Sequence, residues 1–293
     1  MSAQKKGNRP NQVKEKWKAK FDYPVDYNDH FETPLVAYQD ILPLLDNTQK
    51  GKKERGQRVV YDPYYCNGRT AEYLKQLGFE RVVHAKRDFY CDIANQQVPE
   101  HHTLITNPPY SDTHKERCLE FCVKQFRLHK RPFFLLMPNY VAARSYYRRI
   151  LGDIMKDVAY LIPSSPYEYD HPEGTGHEIP PFASLWYCGI GETQIKHFQK
   201  VREGATNNLG ESAAFVPSLE ELEAKRAIPT EKRPNPRQRK KRKAVMLAEQ
   251  NRTTTETSLA NKPGTSPHAT KRNKPSKASR HRDESGKRTK NRF

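Results

Sequence analysis

Between residues 58 and 188, short apolar runs alternate with stretches of helical period, and this alternation constrains the fold more than any other feature of the chain. Arg58-Val59-Val60-Tyr61, Arg81-Val82-Val83-His84, Thr103-Leu104-Ile105-Thr106 and Pro132-Phe133-Phe134-Leu135-Leu136-Met137 have the length and composition of buried strands. Arg69 to Leu77, stopped by Gly78, reads as a helix. So does Asp112 to about His129, which puts Leu119, Cys122, Val123 and Phe126 on one face. Thr33-Pro34 opens another helix running through Leu45, with Thr suited to the N-cap and Pro to the first turn. Ala142 to about Met155 is a fourth helix. Strands separated by helices imply an α/β fold whose mostly parallel sheet is covered on both faces. Val158–Ile162 and Phe182–Cys188 have no helix between them and are expected as an antiparallel pair at one edge. Ligands of such sheets bind off the carboxyl ends of the strands.

Two segments at those ends combine polar side chains with restricted backbone. Asp62-Pro63-Tyr64-Tyr65-Cys66-Asn67-Gly68 joins the first strand to a helix. An acidic group, a tight turn and a helix N-terminus together suit a nucleotide-like cofactor. Asn107-Pro108-Pro109-Tyr110 directly follows the third strand. Its prolines fix the backbone, and Pro109 has no N–H to compete for nearby acceptors. Taken alone, each segment is equally a structural turn; their joint spacing argues for chemistry.

That joint pattern resembles the class I S-adenosylmethionine-dependent methyltransferases, specifically the amino-methyltransferases that modify adenine N6, over roughly residues 28–190. The resemblance implies a Rossmann-like seven-stranded sheet with an antiparallel edge strand, and S-adenosyl-L-methionine as cofactor. It implies that Asp62, Tyr64, Asn67 and Gly68 hold the methionine end and that Thr33 and Pro34 help enclose it. It places Asp88 and Phe89 against the cofactor's adenine, and makes Asn107, Pro108, Pro109 and Tyr110 the catalytic turn. Two positions depart from the family pattern. Cys66 stands where many relatives have glycine, and His84 where an acidic residue grips the ribose hydroxyls, so that Asp88 or Asp92 would take over.

The chemistry accounts for the turn. An exocyclic amino lone pair is delocalised into its ring and is a poor nucleophile. Hydrogen bonds from its two N–H groups to the Asn107 side-chain oxygen and the Pro108 carbonyl draw the nitrogen toward sp3 geometry, with both acceptors preorganised. Tyr110 is suited to stack on a base taken out of its helix.

Charge is partitioned sharply. Residues 1–20 carry seven Lys/Arg and one Glu, and residues 201–293 carry 23 Lys/Arg against 10 Asp/Glu, whereas residues 21–200 are nearly neutral. Basic arms around a neutral body imply contact with nucleic acid, RNA or DNA. The expected organisation is a basic disordered arm at 1–22, a methyltransferase domain at 23–200 and a basic, mostly disordered tail at 201–293. Within the tail, Ser218 is a candidate N-cap for a short helix to Lys225. The cluster Arg239-Lys240-Lys241-Arg242-Lys243 suits a nuclear import receptor, so the expected location is nuclear or nucleolar.

On the body, Arg144, Tyr146, Arg148 and Arg149 interleave basic and aromatic groups past a strand end, and Tyr167 and Tyr169 lie in a loop of the kind that shapes substrate; all six are candidate nucleic-acid contacts. Target recognition is expected from loops, arms or a protein partner, which favours structured RNA slightly over DNA. The five cysteines include no C-x-x-C, so buried thiols are expected and no metal site. No apolar run is long enough to span a membrane. Two other functions remain open: methylation of a protein glutamine amide, and a catalytically silent nucleic-acid-binding scaffold.

Overall fold

The computed structural model describes Tyr23, Asp29 and residues 31–48, 55–170, 183–204 and 213–229. The N-terminal arm apart from Tyr23, the second half of the 164–181 loop with His171 and His177, and the 239–243 cluster lie outside the described residues.

Seven strands form one sheet: β1 (Val59–Tyr61), β2 (Arg81–Val83), β3 (Thr103–Thr106), β4 (Phe133–Pro138), β5 (Val158–Pro163), β6 (Ser184–Gly189) and β7 (Ala213–Val216). Their order is β2-β1-β3-β4-β6-β5-β7. The β1/β2, β1/β3 and β3/β4 pairings are parallel; β4/β6, β5/β6 and β5/β7 are antiparallel. Five strands therefore run one way and two the other, in a mixed α/β, Rossmann-like architecture whose strand order is not that of a simple doubly wound sheet.

Seven helices accompany the sheet among the described residues: α1 (Leu35–Asn47), α2 (Arg69–Gln76), α3 (Phe89–Ala94), α4 (His114–His129), α5 (Ser145–Leu151), α6 (Glu192–Gly204) and α7 (Leu219–Ala224). Strand β4 shows why both faces are covered. Phe133, Leu135 and Met137 join Cys118, Leu119, Cys122 and Phe126 of α4 in one core cluster. Phe134 and Leu136 point the other way, to Tyr38, Ile41 and Leu44 of α1 and Ile195 and Phe198 of α6. The alternation of a fully apolar strand thus feeds two cores, each buried side chain contributing about 1.5–3 kcal/mol.

Three expectations change. The β5/β6 pair is antiparallel, but it does not sit at the edge. β6 threads between β4 and β5, and the antiparallel edge strand is β7. That strand, and the helix α7 capped by Ser218 through the Glu221 N–H, lie in the segment that composition alone assigns to the tail. Val216, Leu219 and Leu222 are at most 1% exposed, which explains why the segment folds onto the sheet despite its charged neighbours. Finally, the N-cap of α1 is Pro34, while Thr33 is buried. None of the described helices is long and apolar enough to cross a membrane.

Candidate active site

Strands β1 and β3 are adjacent and parallel, so the segments that follow them emerge side by side. They border a cavity of about 350 Å³. Thr33, Asp62, Tyr64, Asp88, Phe89, Asn107 and Pro109, expected from four separate stretches of sequence, all line it. Pro34, Asn67, Gly68, Pro108 and Tyr110 do not line it. Gly68 holds φ at +96° to start α2, and an added Cβ would come within 3.0 Å of the Tyr65 hydroxyl.

One end of the cavity is acidic. Asp62 is 3% exposed and accepts from Thr106 Oγ1 at 2.5 Å and from the Tyr64 N–H at 3.2 Å. Glu32 is 5% exposed and accepts from the Asn67 N–H at 2.8 Å. Burial raises both carboxyl pKa values, partly offset for Asp62 by His84 and Thr106, and for Glu32 by the Asn67 N–H, the Cys66 thiol and Arg69. Cys66 adopts φ 46°, the left-handed region that favours glycine. Burial and the Glu32 carboxylate push its thiol up, so it stays protonated and donates to Glu32. Cys66 therefore adopts a glycine-like backbone and adds a donor.

His84 does not grip a ligand. Its side chain is 1% exposed, stacks on Tyr65 at 5.1 Å, and places Nδ1 3.2 Å from the Asp62 carbonyl and 3.5 Å from its carboxylate. Both neighbours are acceptors, so Nδ1 carries the proton. The imidazole braces the 62–68 loop. Asp92 is paired bidentately with Arg87, at 2.8 and 2.5 Å. Asp88 caps α3 through the Tyr90 and Cys91 N–H groups and also lines the cavity. Of these two carboxylates, only Asp88 lines the cavity.

The Asn-Pro-Pro-Tyr turn follows Thr106, the residue that donates to Asp62. The Asn107 side-chain oxygen is buried and accepts no hydrogen bond from the described residues. An unsatisfied buried acceptor costs about 1–3 kcal/mol, which a ligand donor would recover. The Tyr110 hydroxyl donates to the Leu136 carbonyl at 3.2 Å. The Tyr110 carbonyl accepts from Lys115 Nζ. Asp29, Glu32, Tyr90, His114 and Arg117 also line the cavity and carry no local sequence signal for it. Tyr90 binds Tyr64 and His114 through its hydroxyl, at 3.0 and 2.8 Å, and lies beneath the Arg117 guanidinium.

The candidate nucleic-acid contacts fare differently. Tyr167 and Tyr169 are 5% and 6% exposed, and Tyr167 donates to Asp40 at 2.5 Å. They pack in the core beside Trp186, so they are not surface contacts; their place between strands reflects packing on α1. Arg148 pairs with Glu223 and ties α5 to α7. Arg144 lies 5.3 Å from the Tyr140 ring centre, Tyr146 is half-buried and Arg149 is exposed. Cys118 and Cys122 are core residues, and the described residues hold no group of three His, Cys, Asp or Glu placed to bind a metal.

These buried carboxylates fit a cationic ligand end. Both acids should then bind more tightly once ionised. A raised carboxyl pKa gives stability that is present below the unfolded value and lost as pH rises through the folded one. A cationic ligand reverses this by favouring the ionised form. Affinity for S-adenosylmethionine is therefore expected to rise with pH just above the ordinary carboxylate range and then level off. Calorimetric titrations from about pH 5 to 8 measure this, and an affinity that is flat or falling with pH contradicts the assignment.

No protein-family model and no curated protein matches the chain. Among solved structures, it is similar to a chain of a type I R-M system studied for complex assembly and conformational transition. That match has 13% identity and a TM-score of 0.41, over 80% of this chain and 67% of the other. It is also similar to the type IIG restriction endonuclease BpuSI, at 11% identity and a TM-score of 0.36, over 74% of this chain and 34% of the other. The chain thus spans about a third of the endonuclease. At these scores neither likeness bears on the chemistry of the cavity.

Proposed function

We propose that this chain is an S-adenosylmethionine-dependent methyltransferase that modifies the N6 amino group of adenine in nucleic acid, with RNA slightly favoured over DNA. The observation that carries the proposal is the buried Asn107 oxygen, unpartnered among the described residues, in a residue that lines the same cavity as Glu32 and Asp62. When bound, the cofactor supplies a methyl group on a cationic sulfur. Glu32 and Asp62 offer negative charge to its charged end, Phe89 and Tyr64 an apolar wall, and Asp88 an acceptor for ribose hydroxyls. Asn107 accepts a hydrogen bond from the substrate amino group and localises its lone pair, within a turn that Pro108 and Pro109 keep rigid. Tyr110, which does not line the cavity, is partly buried and anchored through its hydroxyl; it would need to reach the extruded base from beside the turn.

The basic arms favour nucleic acid over a protein glutamine amide, because a polyanion uses them and an amide substrate does not. The described residues form one sheet with its helices and include no separate target-reading domain, so the arms, loops or a protein partner would select the site. The 239–243 cluster supports delivery to the nucleus by an import receptor. Mass spectrometry of nucleosides from RNA and DNA, with and without the protein, tests the proposal. N6-methyladenosine or its deoxy form should accumulate only with protein and cofactor. Methylglutamine in protein digests, with no modified nucleoside, would replace this proposal with the amide one.

A further inference from the structure

The turn that carries Asn107 is held from outside its own strand. Asp29 is 81 residues upstream of Tyr110, yet its Oδ1 accepts from the Tyr110 N–H and the Ser111 N–H, each at 3.0 Å. Ser111 Oγ donates to Asp29 Oδ2. One carboxylate thus satisfies three donors immediately after the two prolines. Those donors precede α4, and Asp112 between them and that helix sits at φ 35°. The helix itself starts without a side-chain cap bond from Thr113. From the other side, Lys115 Nζ donates to the Tyr110 carbonyl and the Tyr110 hydroxyl donates to Leu136. The loop is therefore clamped at both its N–H groups and its carbonyl, and Asp29 is the part of the clamp supplied by the N-terminal segment. Its carboxylate also borders the cavity.

We infer that Asp29 is a positioning residue for methyl transfer: it fixes the Tyr110-Ser111 backbone and so holds the Asn107 acceptor at the distance the reaction needs. The inference rests on the methyltransferase reading proposed above. The geometry explains why a carboxylate is used. Two adjacent N–H groups and a hydroxyl converge on one group, and an ionised carboxylate accepts all three. It also specifies a conservative replacement. Asn at this position keeps one oxygen for the two N–H groups, and the serine hydroxyl can rotate to accept from the new amide.

The test compares Asp29→Ala and Asp29→Asn in the full chain, with two readouts. The first is amide hydrogen exchange at Tyr110 and Ser111, which needs no activity. The second is the separation of kcat from KM in methyl transfer. Asp29→Ala is expected to speed exchange at both amides at least about ten-fold and to lower kcat about 10- to 100-fold, the scale on which small misplacement acts. S-adenosylmethionine affinity and KM should change little, and Asp29→Asn should restore both readouts to near the wild-type values. A general loss of folding would speed exchange across the strands as well, and the asparagine variant would not rescue it selectively. Unchanged exchange at Tyr110 and Ser111 in Asp29→Ala, or an unchanged kcat, overturns the positioning role while the methyltransferase reading stands. Absence of methyl transfer in the wild type overturns both.

Discussion

Asn107→Ala should lower the rate of methyl transfer by about 10²–10³, the cost typical of deleting one preorganised polar group at a reacting centre, while S-adenosylmethionine still binds. The physical basis is the separation of duties inside one cavity. Asn107 offers an acceptor that no described residue uses, whereas in the proposed reading Glu32 and Asp62 would meet the charged end of the cofactor. Because the Asn107 oxygen accepts no hydrogen bond from the described residues, its removal should also leave the melting temperature almost unchanged. An acceptor is what matters, so Asn107→Asp should transfer methyl groups faster than Asn107→Ala. Single-turnover rates with labelled methyl, together with calorimetry for the cofactor, resolve these effects. A full rate in Asn107→Ala, or parallel loss of cofactor binding, would remove Asn107 from the role assigned to it.

The parts of this site that sequence made legible are those built from local pattern. β1 and β3 are short apolar runs, and their parallel pairing brings Asp62 and Asn107 onto one cavity. Asp88 and Phe89 reach it because the carboxylate caps α3. Contacts made across long stretches of chain were not legible. Asp29 reaches the Asn-Pro-Pro-Tyr turn from 81 residues away, and Glu32 meets the 62–68 loop through the Asn67 N–H. The surface-looking Tyr167 is drawn inward because Asp40 of α1 supplies a partner for its hydroxyl. Local pattern also cannot say which strand lies between which. β6 pairs with β4 along its whole length, from Phe133–Gly189 to Pro138–Ser184, and so excludes β5 from that position. His84 is a different case. Its identity suggested a lost ribose contact, but its burial against Tyr65 and Asp62 shows a brace for the loop.

The place where the basic tail is cut should separate fold from nucleic-acid affinity. Removing residues 230–293 deletes 20 Lys/Arg and five Asp/Glu and no described element. Removing residues 201–293 also deletes β7 and α7. It strips β5 of its outer partner along Tyr160 to Pro163 and removes Val216, Leu219 and Leu222 from the core. Large buried side chains cost about 2–5 kcal/mol each when truncated, against a total stability of about 5–15 kcal/mol for a typical domain. The longer deletion is therefore expected to unfold or aggregate, and the shorter one to melt like the full chain and keep its cofactor affinity. Nucleic-acid affinity should behave in the opposite way. If the tail neutralises about six phosphates, the slope of log affinity against log salt becomes shallower by roughly four to five in the shorter deletion. Circular dichroism melts and titrations of labelled RNA and DNA at several salt concentrations measure both effects. A folded 1–200 fragment would contradict the core assignment of β7 and α7. An unchanged salt slope in the 1–229 protein would shift the phosphate contacts onto the remaining basic groups, with Arg144 and Arg149 beside the carboxyl end of β4 the first to examine by substitution.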